Sequence, residues 1–339
     1  MRVWFNKTFS TIRGVFENLR QAVPTDEVTL ICTHVHETAT AFLAADEAYL
    51  EPDLKGDAYL EWALGFCAKH QIDLFWPGKE AMLFSQQHAL FAAQGVRVLS
   101  VADHDTLSLL HNKADFYNRL PAEIAQVMDF IAVNNREEFD QAVSTLAAKH
   151  PKLCVKPSVS VYGLGFRILD TERDSIKQLL KGVEYQIPLA ELRQGMQNTA
   201  EFDTLLVMEH LSGHEWSVDC AGREGKLLAA VQRKKSLTAG HGQLIDNDSD
   251  IAAMVERLTA HYCLNGIFNI QFKEGSNGPR LLEINPRPSG GFGMACLSGA
   301  NLAHIALQGI RGGQMSPPVI HYGRRVNEVN RPVIIPEPD

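Results

Sequence analysis

The first hundred residues alternate between short apolar runs and longer stretches with helical periodicity. Four segments read as strands: RVWFN, EVTLICTHV, IDLFWPG and VRVLSVA. Three amphipathic segments separate them: TIRGVFENLRQA, DAYLEWALGFCAKHQ and EAMLFSQQHALFAAQG. Strands that alternate with helices indicate βαβ units, a parallel sheet and an open doubly wound layer. The pattern predicts an N-terminal parallel α/β domain over residues 1–105.

The pattern changes character near residue 110. Helical segments follow in DTLSLLHNKADFYNRL, REEFDQAVSTLAAKH and DIAAMVERLTAHYC. Strands are predicted in DFIAVNN, KLCVKPS, TLLVMEHL, GHEWSVDCAG, KLLAAVQRKKS, GIFNIQFKEG and PRLLEINP. The segment EGSNGP is typical of a tight turn between two strands. This half of the chain is therefore predicted to be α+β with antiparallel sheet.

Composition and charge exclude several classes of protein. The net charge is −8, which argues against an electrostatic nucleic-acid footprint. The six cysteines contain no CxxC pair, which disfavours zinc and suits buried thiols in a reducing cytoplasm. The sequence predicts neither a signal peptide nor a membrane span. The first strand is not followed by GxGxxG, so a dinucleotide site is not supported.

The segment LLEINPRPSGG carries candidate chemistry at the end of a predicted strand. Glu283, Asn285 and Arg287 lie two residues apart and would line one face of that strand. Gln271 lies on the preceding strand of the same hairpin, close enough to share a cation with Glu283. Carboxylate and amide oxygens suit Mg²⁺ together with substrate phosphates, and Arg287 suits a phosphate or a developing anion. The competing interpretation is an ordinary polar strand end followed by a loop.

These residues resemble a known family. NIQF and LLEINPRPSGG are similar to the metal hairpin of the ATP-grasp superfamily, in particular carbon–nitrogen ligases of the carbamoyl-phosphate-synthetase large-chain type. The resemblance implies that Gln271, Glu283 and Asn285 bind Mg²⁺, or Mn²⁺ as the alternative ion, between ATP phosphates. It also implies that Arg287 helps to hold the transferred phosphoryl group or the acyl intermediate.

Two further segments resemble phosphate-binding parts of the family. LLHNKADFYNRL is similar to its helix with a phosphate-binding lysine, here Lys113, although Asn112 replaces the commoner Asp. CVKPSVSVYGLGF is similar to its nucleotide-contacting strand, here with Lys156, and to the mobile loop that follows. The loop residues implied in phosphate binding are Ser158, Ser160, Gly163 and Gly165. Glycines let backbone N–H groups approach phosphate oxygens closely.

The segment VMEHLSGHEWSVD resembles the hinge strand of the family. The resemblance implies that Glu209 and the backbone of His210 and Leu211 read the adenine edge, and that Glu215 accepts from the ribose hydroxyls. Taken singly, Glu209 or Glu215 would be interpreted as an ordinary solvated carboxylate on the surface. VQRKKSLTAGHG by itself indicates a solvated basic face. The resemblance implies instead a segment that reaches phosphate or acceptor, with Arg233 as the candidate catalytic residue.

The resemblance implies an ATP-grasp fold in three parts: an N-terminal domain (1–105), a central lobe (106–205) and a C-terminal lobe (206–339). The implied function is an ATP- and Mg²⁺-dependent ligase that activates a carboxylate as an acyl phosphate for attack by an amine or similar nucleophile. The open alternatives are a small-molecule kinase on the same fold and a nucleotide-binding regulatory module without turnover. The expected partners are a small carboxylate and a small amine, and neither nucleic acid nor a membrane is expected as a partner. The protein is expected in the cytoplasm, and a homodimer is one of the assembly states left open.

Overall fold

The computed structural model describes most of the chain. It covers residues 1–7, 9, 11–160, 163–183, 185–238, 240–313, 316–329 and 331–334. The strands form three sheets, of five, five and six strands. Within the described ranges, every helix is too short or too polar to cross a lipid bilayer.

The first sheet is parallel, as the alternation of strands and helices predicts. Its strands are β1 (Arg2–Phe5), β2 (Thr29–His34), β3 (Glu47–Leu50), β4 (Leu74–Trp76) and β5 (Arg97–Val98), in the order β3-β2-β1-β4-β5. The helices among them are α1 (Ile12–Ala22), α2 (Gly56–His70), α3 (Ala81–Ser85) and α4 (His88–Ala92). Val3 and Phe5 point into one hydrophobic core and Trp4 into another. Both faces of β1 are therefore buried, as in a doubly wound layer.

The sequence pattern misses two details of this region. It does not predict β3, a four-residue strand at the sheet edge whose residues alternate between half-buried and exposed. It predicts one helix over residues 80–95, where the structure has α3 and α4. The helix is interrupted because Gln87 leaves helical dihedral angles, with φ −114° and ψ 18°.

The second sheet is mostly antiparallel. Its strands are β6 (Phe130–Val133), β7 (Leu153–Pro157), β8 (Arg167–Asp170), β9 (Gln186–Pro188) and β10 (Leu205–Glu209), in the order β6-β10-β7-β8-β9. The helices of this region are α5 (His104–His111), α6 (Lys113–Arg119), α7 (Arg136–Ala147), α8 (Ser175–Leu180) and α9 (Leu189–Gly195). Only β8 and β9 pair in parallel. The predicted single helix over residues 105–120 is divided at Asn112, which caps α6.

The third sheet contains the predicted hairpin. Its strands are β11 (Glu215–Arg223), β12 (Lys226–Lys235), β13 (Gln243–Asp246), β14 (Gly266–Gly275), β15 (Gly278–Asn285) and β16 (Arg325–Val326), in the order β15-β14-β11-β12-β13-β16. Its helices are α10 (Ser249–His261), α11 (Phe292–Cys296) and α12 (Leu302–Arg311). Two 3₁₀ turns elsewhere span Thr40–Ala44 and Met196–Asn198. The antiparallel character expected for this half of the chain is confirmed.

The chain forms two compact units. The first comprises Met1–Ser108, His214–Phe272 and the chain from Glu283 onward, and the second comprises Leu109–Gly213 and Lys273–Leu282. Within the first unit, Phe5 of β1 shares a hydrophobic core with Val231 of β12 and Leu302 of α12. The division into three parts at residues 105 and 205 stays a prediction.

Candidate active site

The predicted cation ligands lie on two neighbouring strands of the third sheet, within the first unit. Gln271 is on β14, and Glu283 and Asn285 are on β15. The Nδ2 of Asn285 donates to Oε1 of Glu283 at 3.0 Å, and Nε2 of Gln271 donates to Oδ1 of Asn269 at 3.4 Å. The amide of Asn285 thus donates to a neighbouring candidate ligand, and the amide of Gln271 donates to a buried residue. Arg287 approaches the oxygen of Asn285 at 3.5 Å. One carboxylate and two amide oxygens are acceptors of the kind that fits Mg²⁺.

The predicted Mg²⁺ site contains a single carboxylate, that of Glu283. Among the residues that the structure describes, no three His, Cys, Asp or Glu side chains cluster as a metal site. Mg²⁺ is typically held by one or two carboxylates together with substrate phosphates and waters, so Glu283 with two amide oxygens fits that pattern. The ligand roles of Gln271, Glu283 and Asn285 stay predictions.

Asn269 orients the amide of Gln271, and sequence reasoning did not single it out. Asn269 is fully buried, and its Nδ2 donates to Oγ of Ser217 at 2.9 Å and to the carbonyl of Val218 at 3.1 Å. A third contact joins it to Oδ1 of Asp219 at 3.2 Å. These three acceptors fix the amide, so its own oxygen must face Gln271. The alternation of Asn269 with Gln271 on β14 was the available sequence signal.

Arg287 lies directly after β15, beside the first sheet. Its Nη2 is 3.5 Å from Oδ1 of Asn285, and its Nη1 donates to the carbonyl of Pro288 at 3.1 Å. Its guanidinium carbon lies 5.3 Å from the centre of the Phe9 ring, a cation–π distance. The structure therefore joins Glu283, Asn285 and Arg287 through consecutive side-chain contacts, as expected for one strand face. The catalytic role of Arg287 stays a prediction.

Arg233 is buried inside the first unit. Only 1% of its surface is exposed, and Asp219 is fully buried beside it. The carboxylate of Asp219 accepts from Nε at 3.0 Å and from Nη2 at 2.7 Å. Nη2 also donates to Oγ of Ser289 at 2.7 Å, and Nη1 donates to Gln243. The guanidinium therefore fastens the segment that follows Arg287; its predicted catalytic contact with phosphate or acceptor is untested.

The same segment passes very close to Arg233 at Gly291. A Cβ atom added at Gly291 would lie 2.3 Å from Nη1 of Arg233 and 2.7 Å from its guanidinium carbon. Real Cβ atoms do not approach other atoms so closely. Glycine is therefore required at this position as long as Arg233 keeps its buried place.

Lys113 and the start of the predicted phosphate loop are joined in the second unit. The Nζ of Lys113 donates to the carbonyl of Ser160 at 2.8 Å, and Lys113 is 6% exposed. Asn112 caps α6 by accepting from the backbone N–H groups of Ala114 and Asp115. Oγ of Ser158 donates to Oδ1 of Asn112 at 2.5 Å. Asn112, where the family more often has Asp, thus connects the lysine helix to the loop.

Lys156 lies on β7 and is held by a residue that sequence reasoning missed. Its Nζ donates to the hydroxyl of Tyr117 at 2.9 Å and lies 5.2 Å from the centre of that ring. The hydroxyl of Tyr117 in turn donates to the carbonyl of Leu282. Tyr117 follows Lys113 by four residues, so both project from the same side of α6. This spacing was the sequence signal for Tyr117.

The predicted glycines occupy backbone conformations that favour glycine. Gly163 has φ +69° and Gly165 has φ +81°. A Cβ at Gly165 would also lie 2.7 Å from the ring of Pro157. Residues 161 and 162 of the same loop lie outside the described residues. The role of the two glycines at phosphates stays a prediction.

The hinge residues of the second unit have partners within the protein. The carboxylate of Glu209 lies 3.4 Å from Nδ1 of His150, whose Nε2 is 2.9 Å from Asp129. The N–H of His210 donates to the carbonyl of Lys152 at 3.0 Å and is not available to a ligand in this conformation. Leu211 is buried beside them. Adenine recognition by Glu209, His210 and Leu211 stays a prediction.

The imidazole of His210 has an unusual environment. Within the described part of the chain, its Nδ1 is buried and has no hydrogen-bond partner. Burial lowers the pKa of His210, and the positive charges of Lys273 and Lys152 lower it further. The charged form of the His210 imidazole is therefore disfavoured.

Glu215 begins β11 in the first unit. Its carboxylate accepts a hydrogen bond from Nζ of Lys235 on β12. Neighbouring His214 is bound to the carbonyl of the same lysine at 3.0 Å. The predicted contact of Glu215 with ribose hydroxyls is not tested by this arrangement.

Replacing Lys156 or Lys113 by Met should weaken ATP binding by about tenfold or more and leave adenosine binding nearly unchanged. The reason is that both ammonium groups are predicted to offset phosphate charge, and adenosine carries no phosphate. Calorimetric titration of both ligands measures the difference. Lys149→Met, an exposed lysine just after α7, is the matched control. If ATP and adenosine weakened equally, the lysine would have a structural role.

The three sheets and the hairpin define an ATP-grasp fold, and comparison with known proteins supports this. The family model described as "ATP-grasp in the biosynthetic pathway with Ter operon" matches residues 201–332. Those residues include β10 to β16 and the whole β14–β15 hairpin. The resemblance to the ATP-grasp superfamily is therefore confirmed.

Solved structures of ATP-grasp proteins match nearly the whole chain. N5-carboxyaminoimidazole synthetase from Staphylococcus aureus has a TM-score of 0.66 at 14% identity, covering 94% of this chain and 80% of that one. A biotin carboxylase–βγ-ATP complex from Campylobacter jejuni has a TM-score of 0.64 at 13% identity, covering 94% and 73%.

A third match was solved with magnesium nucleotide. The biotin carboxylase domain dimer of Hydrogenobacter thermophilus 2-oxoglutarate carboxylase, in complex with MgADP, ADP and bicarbonate, has a TM-score of 0.65 at 13% identity, covering 93% of this chain and 70% of that one. At these identities the matches establish the fold. The predicted fold class, an ATP-grasp fold with an N-terminal parallel α/β domain, is confirmed.

Proposed function

We propose that this protein is an ATP- and Mg²⁺-dependent ligase that activates a carboxylate as an acyl phosphate for attack by an amine or a similar nucleophile. The observation that carries the proposal is the continuous contact of Glu283, Asn285 and Arg287 at the end of β15. A site that only binds nucleotide has little need for a guanidinium next to its metal ligands. The similar fold of proteins solved with MgADP and with an ATP analogue supports the nucleotide and the ion.

The proposed reaction has two steps. An oxygen of the substrate carboxylate attacks the γ-phosphorus of ATP, the bond to ADP breaks, and an acyl phosphate forms. The nucleophile then attacks the carbonyl carbon, phosphate leaves with the bonding electrons, and the amine gives up a proton. No side-chain nucleophile is required, so the protein contributes position and charge.

The residues have separate tasks in this proposal. Gln271, Glu283 and Asn285 provide the oxygens that would hold Mg²⁺, which would supply positive charge to offset the charge of the phosphates. Lys113 and Lys156 offset the charge of the nucleotide phosphates. Arg287 stabilises the charge that develops as the phosphoryl group is transferred.

Nucleotide binding should depend on the metal. We expect ATP to bind at least about tenfold more tightly with Mg²⁺ than with EDTA, because the oxygen ligands of the hairpin would otherwise face the phosphates as uncompensated acceptors. Isothermal titration with a non-hydrolysable ATP analogue measures both affinities. Equal affinity in the two buffers would contradict the metal assignment.

The kinase alternative uses the same contacts and differs in its co-substrates. A ligase releases phosphate only when both a carboxylate and a nucleophile are present, whereas a kinase forms ADP and a stable phosphorylated product with one acceptor. Incubation with ATP and pooled carboxylates, with and without pooled amines, separates the two. A regulatory module would bind nucleotide and release neither product. Assembly as a homodimer stays a prediction.

A further inference from the structure

A small crevice lies at the carboxyl ends of the first sheet, inside the first unit. The strand order β3-β2-β1-β4-β5 places a topological switch point between β1 and β4, where open parallel sheets form ligand crevices. A cavity of about 30 Å³ lies there, lined by Phe5 and Trp76 from the two strand ends. Its far wall includes Ile267, at the start of β14, and Arg287. The switch point therefore adjoins the residue proposed to act on the transferred phosphoryl group.

The crevice combines apolar walls with one cation in its lining and a second cation near one of its rings. Leu99 and Val101 complete the apolar lining, and among the described lining residues Arg287 is the one that carries a charge. The ring of Phe9 lies 5.3 Å from the guanidinium carbon of Arg287 and 5.8 Å from Nζ of Lys79. One cation in the lining and a second near a lining ring favour a ligand with one anionic end and one apolar end.

The nearby carboxylate of Glu80 does not cancel these charges. Its Oε1 lies 4.0 Å from Nζ of Lys7, which also donates to the carbonyl of Leu54 at 2.7 Å. Lys7 is 7% exposed and lies 4.0 Å from the ring centre of Tyr59. Glu80 thus lies at ion-pair distance from a cation other than Arg287 and Lys79.

The walls of the crevice are held rigidly, which limits the size of its occupant. The rings of Phe5 and Trp76 stack at 5.2 Å. Gly78 donates its N–H to Oδ1 of Asn6 at 2.8 Å, and a Cβ at Gly78 would lie 2.3 Å from the carbonyl oxygen of Asn6. A volume of about 30 Å³ holds about two or three water-sized groups, comparable to an ethyl or isopropyl group.

We infer that the carboxylic acid substrate of this enzyme carries a small apolar side chain, which occupies this crevice while its carboxylate lies between Arg287 and Lys79. The inference deepens the proposed ligase function and rests on it for the role of the bound acid. The chemical class is a monocarboxylic acid, with or without an amino group, that ends in about two to four aliphatic carbons. Dicarboxylic acids are disfavoured because the second charge would enter an apolar wall without a partner.

The test compares acids of matched size on the whole protein. Isobutyrate, L-valine, succinate and L-aspartate are each titrated into the protein in the presence of Mg²⁺ and a non-hydrolysable ATP analogue. The affinity for isobutyrate is compared with that for succinate, and the affinity for L-valine with that for L-aspartate. We expect at least one apolar acid to bind ten-fold or more tightly than its dicarboxylic counterpart, the scale of apolar pocket discrimination. Equal or tighter binding of the dicarboxylic acids, or binding of none of the four, would overturn the inference.

Two variants locate the acid. Ala81→Leu, at the first position of α3 in the wall of the crevice, should weaken the preferred apolar acid ten-fold or more and leave the ATP analogue unaffected. Ala89→Leu is the matched control, because Ala89 is exposed on α4 outside this wall. Lys79→Met should weaken all monocarboxylic acids. An unchanged acid affinity in Ala81→Leu would place the acid elsewhere.

Two outcomes distinguish a wrong acid site from a wrong reaction. If a dicarboxylic acid and an amine supported phosphate release, the ligase function would stand and the apolar crevice would not be its acid site. If apolar acids bound in the expected order but no amine gave product, the crevice would stand and the ligase reaction would fail.

Discussion

Replacing Arg233 by Met is expected to lower the free energy of unfolding by about 3–5 kcal/mol. Arg233 and Asp219 are both within 1% of complete burial, and Asp219 accepts two hydrogen bonds from the guanidinium. Without Arg233, the carboxylate of Asp219 would be left charged in the interior with only Asn269 as a donor among the contacts described above. Urea denaturation of the full chain measures the loss.

The matched control is Arg13→Met. Arg13 pairs with Glu17 at 2.8 Å on the exposed side of α1, where such a pair contributes about 0.3–0.5 kcal/mol. The double variant Arg233→Met, Asp219→Leu should lose less stability than Arg233→Met alone, because it leaves no buried charge without a partner. A loss in Arg233→Met no greater than that in Arg13→Met would show that the buried pair is unimportant for stability.

Replacing Glu283 by Gln is expected to reduce turnover about a hundredfold to a thousandfold. This is the scale of the loss when one preorganised charge-stabilising group is removed. The change keeps the size of the side chain and the acceptor for Nδ2 of Asn285, so the fold of β15 should be retained. It removes the only carboxylate of the predicted cation site. Turnover is measured as ADP formation with an identified acid and amine.

Binding data separate a metal effect from a folding effect. In Glu283→Gln, the affinity for the ATP analogue should fall in Mg²⁺ and stay near the wild-type value in EDTA. Glu256→Gln, on the exposed side of α10, is the control with the same chemical change. Near-normal turnover in Glu283→Gln would mean that the metal is held by other groups, and equal losses in both buffers would point to disruption of the strand.

The strands and helices were predictable where burial gives the hydrophobic residues a regular spacing along the chain. The buried strands β1, β2 and β4 and the helices α1 and α2 alternate clearly enough to predict a parallel sheet. β3 was not predictable, because its residues alternate between half-buried and exposed and no apolar run marks the strand. β13 was also missed, because only one of its four residues is buried. The division of α5 from α6 depends on Asn112, whose side chain forms hydrogen bonds that end one helix and start the next.

The candidate site was predictable where function follows from neighbours in the sequence. Glu283, Asn285 and Arg287 share a strand face because their spacing is two. Contacts between distant segments were not predictable, as with Tyr117 and Lys156, which are 39 residues apart, and Asn269 and Asp219, which are 50 apart. Such pairs depend on the order of strands and on the direction of helices, and local patterns do not determine either.

The close approach of Gly291 to Arg233 restricts how this sequence can vary. An alanine at residue 291 is sterically excluded while the arginine is present, and the arginine cannot leave without stranding Asp219. Single-step substitution at any of these three positions therefore passes through a destabilised intermediate. Descendants of this chain would be expected to replace Arg233 and Asp219 together, and to replace Gly291 only after the arginine has been lost, so the three positions should not vary independently.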